Sequence, residues 1–355
     1  MKLKKIFKLI SASFTFLFVT GCSSWQSDPQ TTVNPKSDMA NIIQDLYVLV
    51  FWLAVVVFIF VMGAILFVSI KFRERPDRKA QQFHGNTKLE IIWTLIPILI
   101  LLTIFIPTAS AIPKIKSDAP MNAMQIDVTG KQWWFEFKYP DHDITVANEI
   151  HIPVNKAVNF NLASSDVIHA FWIPQLGGKV DMVPGHLNKM WFTPNEAREE
   201  AYLGQCTEFC GTSHANMLFR VFVDEQEDFD KWVLLQQKSA NAAISELAKK
   251  GEELVLKNPA FITDNGTALG CATCHKIEGT SAMGMIAPNL THIASRTTFA
   301  AGRYDINREN LIKWISNPSQ MKPGVSERTG GMPIYENYLT SEQIEAIVAY
   351  LLELK

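Results

Sequence analysis

Cysteine is scarce in this chain, five among 355 residues, and an odd number cannot be paired off into a disulfide framework. Net charge is nearly absent too: 33 Lys and Arg face 35 Asp and Glu, a formal balance of −2. That balance predicts neither the strongly basic surface of a nucleic-acid binder nor a polybasic patch for anionic lipid. Histidine is missing from the two long apolar stretches, residues 42–70 and 89–112. Haem iron inside a membrane bundle needs axial ligands of that kind, so neither stretch can hold one.

Apolar length is what the chain does have. Hydrophobic residues make up 48% and mean hydropathy is +0.06, high for a soluble chain and low for one lying wholly in membrane. Two or three units are expected from the length. Stretches 42–70 and 89–112 each exceed the roughly 20 residues that cross a hydrocarbon core of about 30 Å. In the loop between them, residues 71–88, Lys71, Arg73, Arg75, Arg78, Lys79 and Lys88 outnumber Glu74 and Asp77. This bias places the loop in the cytoplasm and everything after residue 112 on the outer face.

Near the start, Lys2, Lys4, Lys5 and Lys8 precede a short apolar run, residues 9–19, in the order of a secretory signal. The run ends in Val19-Thr20-Gly21-Cys22, similar to a bacterial lipobox. That similarity implies a signal over residues 1–21 and a lipid on Cys22, with an uncleaved signal anchor as the alternative. Residues 22–41 read as a tether, flexible through Asp38.

From 122 to 225 the pattern changes to short β-rich runs, residues 124–128, 133–139, 149–152, 158–164, 190–193 and 218–223. Turn residues such as Tyr139-Pro140-Asp141 and Pro184-Gly185 separate them, which indicates a β-sandwich or barrel. Late in this region stands Gly204-Gln205-Cys206-Thr207-Glu208-Phe209-Cys210-Gly211-Thr212-Ser213-His214-Ala215-Asn216-Met217. Two thiolates, an imidazole and a thioether in one short loop are soft or borderline donors that favour copper over calcium, magnesium or manganese. His169, at the end of an apolar strand upstream, is the expected further ligand. A mononuclear blue-copper site needs only one cysteine. The second thiolate argues for a binuclear centre in which each sulfur bridges two metals, and a Cys206–Cys210 disulfide is the alternative.

Residues 226–241 read as a polar, mostly helical linker with an apolar side made by Phe229, Trp232, Val233 and Leu235, and 242–355 as a second redox domain. There Cys271-Ala272-Thr273-Cys274-His275 is a C-x-x-C-H, the attachment signature of c-type haem. The spacing lets two thiols reach two vinyl groups while the imidazole meets the iron. A redox dithiol or half a zinc site would fit a bare C-x-x-C, but the adjacent histidine and the lack of a second C-x-x-C argue against both. The sixth ligand should be a methionine or histidine further on, and Met283, Met285, Met321 and Met332 follow.

The copper loop, with Asp166-Val167-Ile168-His169 and Gly130-Lys131-Gln132-Trp133-Trp134-Phe135, resembles subunit II of the haem-copper cytochrome c oxidases. The resemblance implies a dinuclear copper A centre held by the side chains of His169, Cys206, Cys210, His214 and Met217 and the backbone carbonyl of Glu208. It makes Trp133 a surface ring that takes electrons to the copper pair. It implies that the Glu208 carboxylate binds magnesium or manganese at the interface with subunit I, and that Glu90 sits at the mouth of a proton-uptake channel of subunit I. For Glu90 a plain helix-start carboxylate is the alternative. Lys131 and Phe135 depart from the family's usual histidine and second tryptophan.

Residues 242–355 resemble the small cytochromes c. Gly331-Met332-Pro333 makes Met332 the implied sixth ligand, with Met321 as the other choice. Pro288 would orient His275 through its carbonyl, and Gly251 would meet Tyr350 where the first and last helices cross. Thr340 with Gln343 makes a capping box for a helix over 341–352. The long segment between Gly251 and Cys271 departs from the pattern and reads as an extra loop.

The expected architecture is a multidomain membrane protein: a two-helix transmembrane hairpin over 42–112, an all-β cupredoxin-like domain over 122–225, and an all-α class I cytochrome c domain over 242–355. The implied role is subunit II of a bacterial caa-type oxidase. Electrons would come from a cytochrome c or a bc complex, pass through haem c and copper A, and go on to subunit I, with subunit III and small subunits as further partners. Oxygen reduction and proton translocation would belong to subunit I. A copper A nitric oxide reductase subunit and a membrane-tethered electron carrier are the alternatives, while the copper ligands argue against a quinol oxidase.

Overall fold

The computed structural model describes residues 28–74, 84–257, 261–262 and 268–355. The expected signal 1–21, Cys22 and the loop residues Arg75, Asp77, Arg78 and Lys79 lie outside the described residues. The chain divides into two compact units, residues 39–118 and the remainder.

The smaller unit holds helices α1 (Asp38–Lys71, 34 residues) and α2 (Thr87–Ile115, 29 residues), with mean hydropathies of 3.0 and 2.5 over their most apolar windows. At 1.5 Å per residue both are longer than a hydrocarbon core of about 30 Å. The Asn86 side chain starts α2 by accepting the backbone N–H groups of Lys88 at 3.1 Å and Leu89 at 3.3 Å. Glu90 lies in the first turn of α2, where a carboxylate complements the helix dipole.

The larger unit begins with a departure from the expected tether. The Lys36 N–H donates to the Gln175 carbonyl at 2.7 Å, the Ser37 hydroxyl to Leu176 O at 2.6 Å, and the Asp38 carboxylate accepts Thr193 N–H at 2.8 Å. Residues 36–38 are therefore pinned to the β domain, so any flexible tether ends before them. Polar composition suggested a free chain, but these backbone and side-chain hydrogen bonds decide the matter, and composition does not register their partners.

Ten strands form the β domain: β1 (Met124–Lys131), β2 (Trp134–Tyr139), β3 (Ile144–Ala147), β4 (Glu149–Pro153), β5 (Val158–Ser164), β6 (His169–Trp172), β7 (Val180–Met182), β8 (Asn188–Phe192), β9 (Arg198–Cys206) and β10 (Leu218–Asp224). They make two five-stranded sheets, ordered β3-β2-β1-β5-β8 and β4-β10-β9-β6-β7. Alternating burial along β1 and β10 shows one face of each in the core. The core is aromatic. Phe135, Phe137, Phe160, Phe171, Phe192 and Phe219 are fully buried, and Phe171 stacks on Phe219 at 4.7 Å between centroids. Lys131 salt-bridges Glu136 at 2.9 Å and lies over the Trp134 ring at 4.8 Å, an intradomain role for that departure from the family pattern.

Helix α3 (Gln226–Gln236) follows and buries Phe229 and Val233, packing on β4 and β10. Beyond it come α4 (Glu246–Leu256), a two-strand ribbon of β11 (Phe261–Ile262) and β12 (Ala268–Leu269), α5 (Cys271–Cys274), a second ribbon of β13 (Thr298–Phe299) and β14 (Tyr304–Asp305), α6 (Arg308–Ser316), α7 (Pro318–Met321) and α8 (Ser341–Leu351). The segment between Gly251 and Cys271 thus contains the β11–β12 ribbon. Thr340 and Gln343 cap α8 reciprocally, through Thr340 N to Gln343 Oε1 at 2.9 Å and Gln343 N to Thr340 Oγ1 at 3.3 Å.

Helices α4 and α8 cross at Gly251. A Cβ there would sit 1.9 Å from the Ala346 carbonyl oxygen, so the backbone of α8, one turn before Tyr350, is what requires glycine. Tyr350 itself is buried in the same core. Gly251→Val should destabilise this domain by about 3 kcal/mol, the upper end of overpacking costs. The shift of its denaturant midpoint, followed by far-ultraviolet circular dichroism, checks this.

Candidate metal centre and haem cleft

Strand β9 ends at Cys206 and β10 begins at Leu218, so the loop between two paired strands must fold back on itself. The Cys206 N–H donates to Met217 O at 2.9 Å and closes it. A 3-10 turn over His214–Asn216 then brings the loop's donors together. Cys206 Sγ lies 3.8 Å from Cys210 Sγ, 3.2 Å from the Glu208 carbonyl oxygen and 4.0 Å from His169 Nδ1. Cys210 Sγ lies 3.5 Å from His214 Nδ1 and 3.8 Å from Met217 Sδ. All six residues proposed as copper ligands face one another, and the two cysteines are free thiols. Among the described residues, His169, Cys206 and Cys210 form the one group of three His, Cys, Asp or Glu side chains close enough to share a metal ion. Two soft sulfurs set between two imidazole nitrogens, with a thioether and a carbonyl beside them, suit copper.

The fully buried His169 arrives on β6 from the facing edge of β9, and its orientation is fixed from behind. Its Nε2 meets Asp166 Oδ1 at 2.8 Å, leaving Nδ1 for the cluster. Asp166 also accepts the backbone N–H groups of Gln132 at 2.6 Å and Val167 at 2.7 Å. Burial opposes its charge, yet the bonds from His169, Gln132 and Val167 outweigh burial and hold the carboxyl below its usual range. Burial likewise works against a charged His169, and the bonds to Asp166 and Cys206 overcome it and raise the imidazole. The hydrogen bond from Cys210 is the largest influence on Cys206, pulling it down to about 3, while the same bond pushes Cys210 up. Metal binding at neutral pH would therefore displace the proton that the two sulfurs share.

Asp166 is a partner that residue type alone did not single out; its position three residues before a ligand histidine is the signal that could have found it. Asp166→Ala should weaken copper binding by roughly 10–100-fold, the usual effect of losing an outer partner of a ligand histidine. Competition against a copper chelator measures it.

The second site is an apolar cleft lined by Cys274, His275, Pro288, Leu290, Phe299, Trp314, Met332 and Tyr335. His275 Nδ1 is 2.7 Å from the Pro288 carbonyl, which turns Nε2 toward the cleft. Burial lowers the His275 pKa, keeping the imidazole in the neutral form that binds iron. Met332 lines the cleft. Met321 packs in the helical core beside the backbone carbonyl that accepts Tyr304 Oη at 2.7 Å, and Met283 and Met285 are exposed. Burial pushes the Cys271 thiol up to about 11. A slot with a fixed histidine on one side, a thioether in its wall and apolar lining fits a haem.

Gln132, Trp133 and Trp134 of the β domain line the same cleft. Trp133 is only 5% exposed, which corrects the expected surface ring. The helical domain covers it: a Cβ on Gly324 would lie 2.8 Å from its Cη2, and Lys322 donates to its carbonyl. On the other side the Trp133 indole N–H donates to Cys210 O at 2.9 Å, as does Gln132 Nε2 at 2.8 Å. Trp134 and Phe135 are core residues, and Trp134 packs against Ala147 and Ala301. The Glu208 side chain is half-buried on the loop, and Glu90 belongs to the membrane-type unit.

Two apolar helices, a β-sandwich with a soft-donor cluster and a helical region with a C-x-x-C-H cleft define a membrane-anchored redox protein of the cupredoxin-plus-cytochrome class. Residues 23–110 match the transmembrane domain of Cytochrome C oxidase subunit II, residues 142–223 its periplasmic domain, and residues 248–355 Cytochrome c. Cytochrome c oxidase subunit 2 of Alkalihalophilus pseudofirmus is 34% identical over 363 aligned residues, covering 100% of this chain and 99% of the relative. That of Bacillus sp. (strain PS3) is 35% identical over 299, covering 80% of each. The crystal structure of the periplasmic domain of subunit II from Bradyrhizobium japonicum is 34% identical over 33% of this chain and 96% of its own, with a TM-score of 0.32, too partial a likeness to argue from. The chain belongs to the cytochrome c oxidase subunit II family, with a cytochrome c domain at its carboxyl end.

Proposed function

We propose that this chain is the electron-receiving subunit of a haem-copper cytochrome c oxidase. His169, Cys206, Cys210, His214, Met217 and the Glu208 carbonyl would hold a dinuclear copper A centre. Cys271 and Cys274 would attach a haem c, and His275 and Met332 would hold its iron. When bound, the two groups supply reversible one-electron chemistry at sites whose ligands need move little between redox states.

The residues do the rest. Pro288 and Asp166 fix the two histidines, the apolar cleft walls exclude water, and Trp133 stands between the sites. Trp133 is the observation that carries the reading: its ring is part of the haem-cleft wall and its indole N–H is bonded to the carbonyl of Cys210. With Trp133 covered, an outside donor, a cytochrome c or a bc complex, would deliver to the fused haem rather than to the tryptophan.

Electrons would leave the copper site for subunit I, the partner that reduces oxygen and moves protons, in a complex with subunit III and smaller subunits. Glu208 would lend its carboxylate to an interface magnesium or manganese ion, and Glu90 would stand at the mouth of a proton path. Cys22 would carry a lipid, with both redox domains on the outer face of the cell membrane. The test is purification of the chain from its own membranes. The reading predicts co-purification with a many-span haem protein and oxygen uptake driven by reduced cytochrome c. A free chain, or a complex consuming nitric oxide and not oxygen, would overturn it.

A further inference from the structure

We propose that Lys322, Pro323 and Gly324 form a strap that sets the spacing between the haem cleft and the copper loop, with Lys322 as its positioning residue. The inference rests on the two-centre relay proposed above. Three consecutive residues of the helical domain each touch the copper side. Lys322 is 3% exposed, and its Nζ donates to the carbonyl of Trp133 and, at 3.4 Å, to the carbonyl of Ala300 in its own domain. The Pro323 carbonyl accepts the hydroxyl of Ser213, a fully buried residue next to His214. Gly324, at φ +85°, lies against Trp133 and Thr212, where a Cβ would come within 2.8 Å of the ring and 3.2 Å of Thr212 Cβ.

A lysine amine in such a place is costly to bury and is retained only where its donors are used. Here the Nζ amine ties one carbonyl from each domain, and the carbonyl on the copper side belongs to the residue whose indole is bonded to Cys210 O. A methionine would fill nearly the same space without the tie. The domains have other links: Arg220 donates to Gly302 O at 3.0 Å, and Glu149 accepts the Thr297 hydroxyl at 2.6 Å. Loss of Lys322 therefore loosens one edge of the interface and leaves the domains together. Fast transfer of one electron, lost by the haem and gained by the copper pair, depends on that edge because Trp133 lies under it.

The experiment uses the full chain in its membrane complex. A light-driven pulse reduces the haem, and the electron's arrival is followed in the copper absorption band. Copper and haem content and the relaxation of the copper paramagnetic signal by ferric haem are measured on the same samples. In Lys322→Met the transfer rate should fall several-fold, because electron transfer weakens exponentially as donor and acceptor move apart. Copper and haem should stay at wild-type content while the relaxation enhancement weakens. Gly324→Val, which wedges a side chain against the Trp133 ring, should do the same and serves if the first variant does not fold. An unchanged rate and relaxation in a loaded variant overturns the strap. So does a slower rate accompanied by loss of copper or haem, since the segment would then support one centre and not the spacing of two. Failure of the underlying relay would show earlier, as wild-type protein without two coppers per haem.

Discussion

Cys206→Ser should abolish the copper pair. The Cys206 Sγ faces Cys210 Sγ, His169 Nδ1 and the Glu208 carbonyl together. A serine hydroxyl is a hard, protonated donor at neutral pH and cannot bridge two copper ions as a thiolate does. The loss in copper affinity should exceed the roughly 10–100-fold expected for Asp166→Ala, because a ligand is lost and not its support. Copper per chain should fall from two to one or none. Reduction of the fused haem by an outside donor should continue while electrons cease to reach the oxidase. Elemental analysis with single-turnover kinetics reads both. Retention of two coppers would show that the cluster is not the metal site.

The second large effect concerns the haem. Met332→Leu removes the thioether from the cleft wall, and the reduction potential should drop by on the order of 0.1 V, part of the roughly 0.8 V that axial ligands can span. Met321→Leu should leave the potential where it was, because Met321 packs in the helical core and not in the cleft wall. Potentiometric titration of the haem band separates the two, and a reversed result would make Met321 the ligand.

How much of this could be read from the chain divides by the kind of constraint. The two apolar helices and strands β1, β2, β4, β5, β8 and β10 were legible because burial imposes a period or a length on sequence, whereas β3, β7 and β9 were not among the runs read. The copper loop was legible because soft side chains at close spacing have few other uses. His169 could be named as the distant member since a single histidine at the edge of an apolar strand has little structural reason to be there, and the family resemblance supplied its role; the structure places it at the first position of β6. What escaped was everything decided between domains. Lys322 looks like any lysine in a polar loop, and no property of Met321-Lys322-Pro323-Gly324 announces that a second domain will cover it. Trp133 was expected at the surface for the same reason, since the resemblance is to a domain whereas burial is set by what is docked on it. Residues 36–38 looked like part of a loose tether, yet Lys36 by its backbone and Ser37 and Asp38 by their side chains bond to the β domain, contacts that polar composition does not announce.

In the proposed relay a copper pair and a covalent haem share one chain. The most direct measurement is the ratio of copper, by elemental analysis, to haem c, by the pyridine haemochrome spectrum, on the detergent-solubilised full chain after copper loading. Two coppers per haem is the predicted result. One copper or none would contradict it, leaving a mononuclear site or a Cys206–Cys210 disulfide in place of the dinuclear centre.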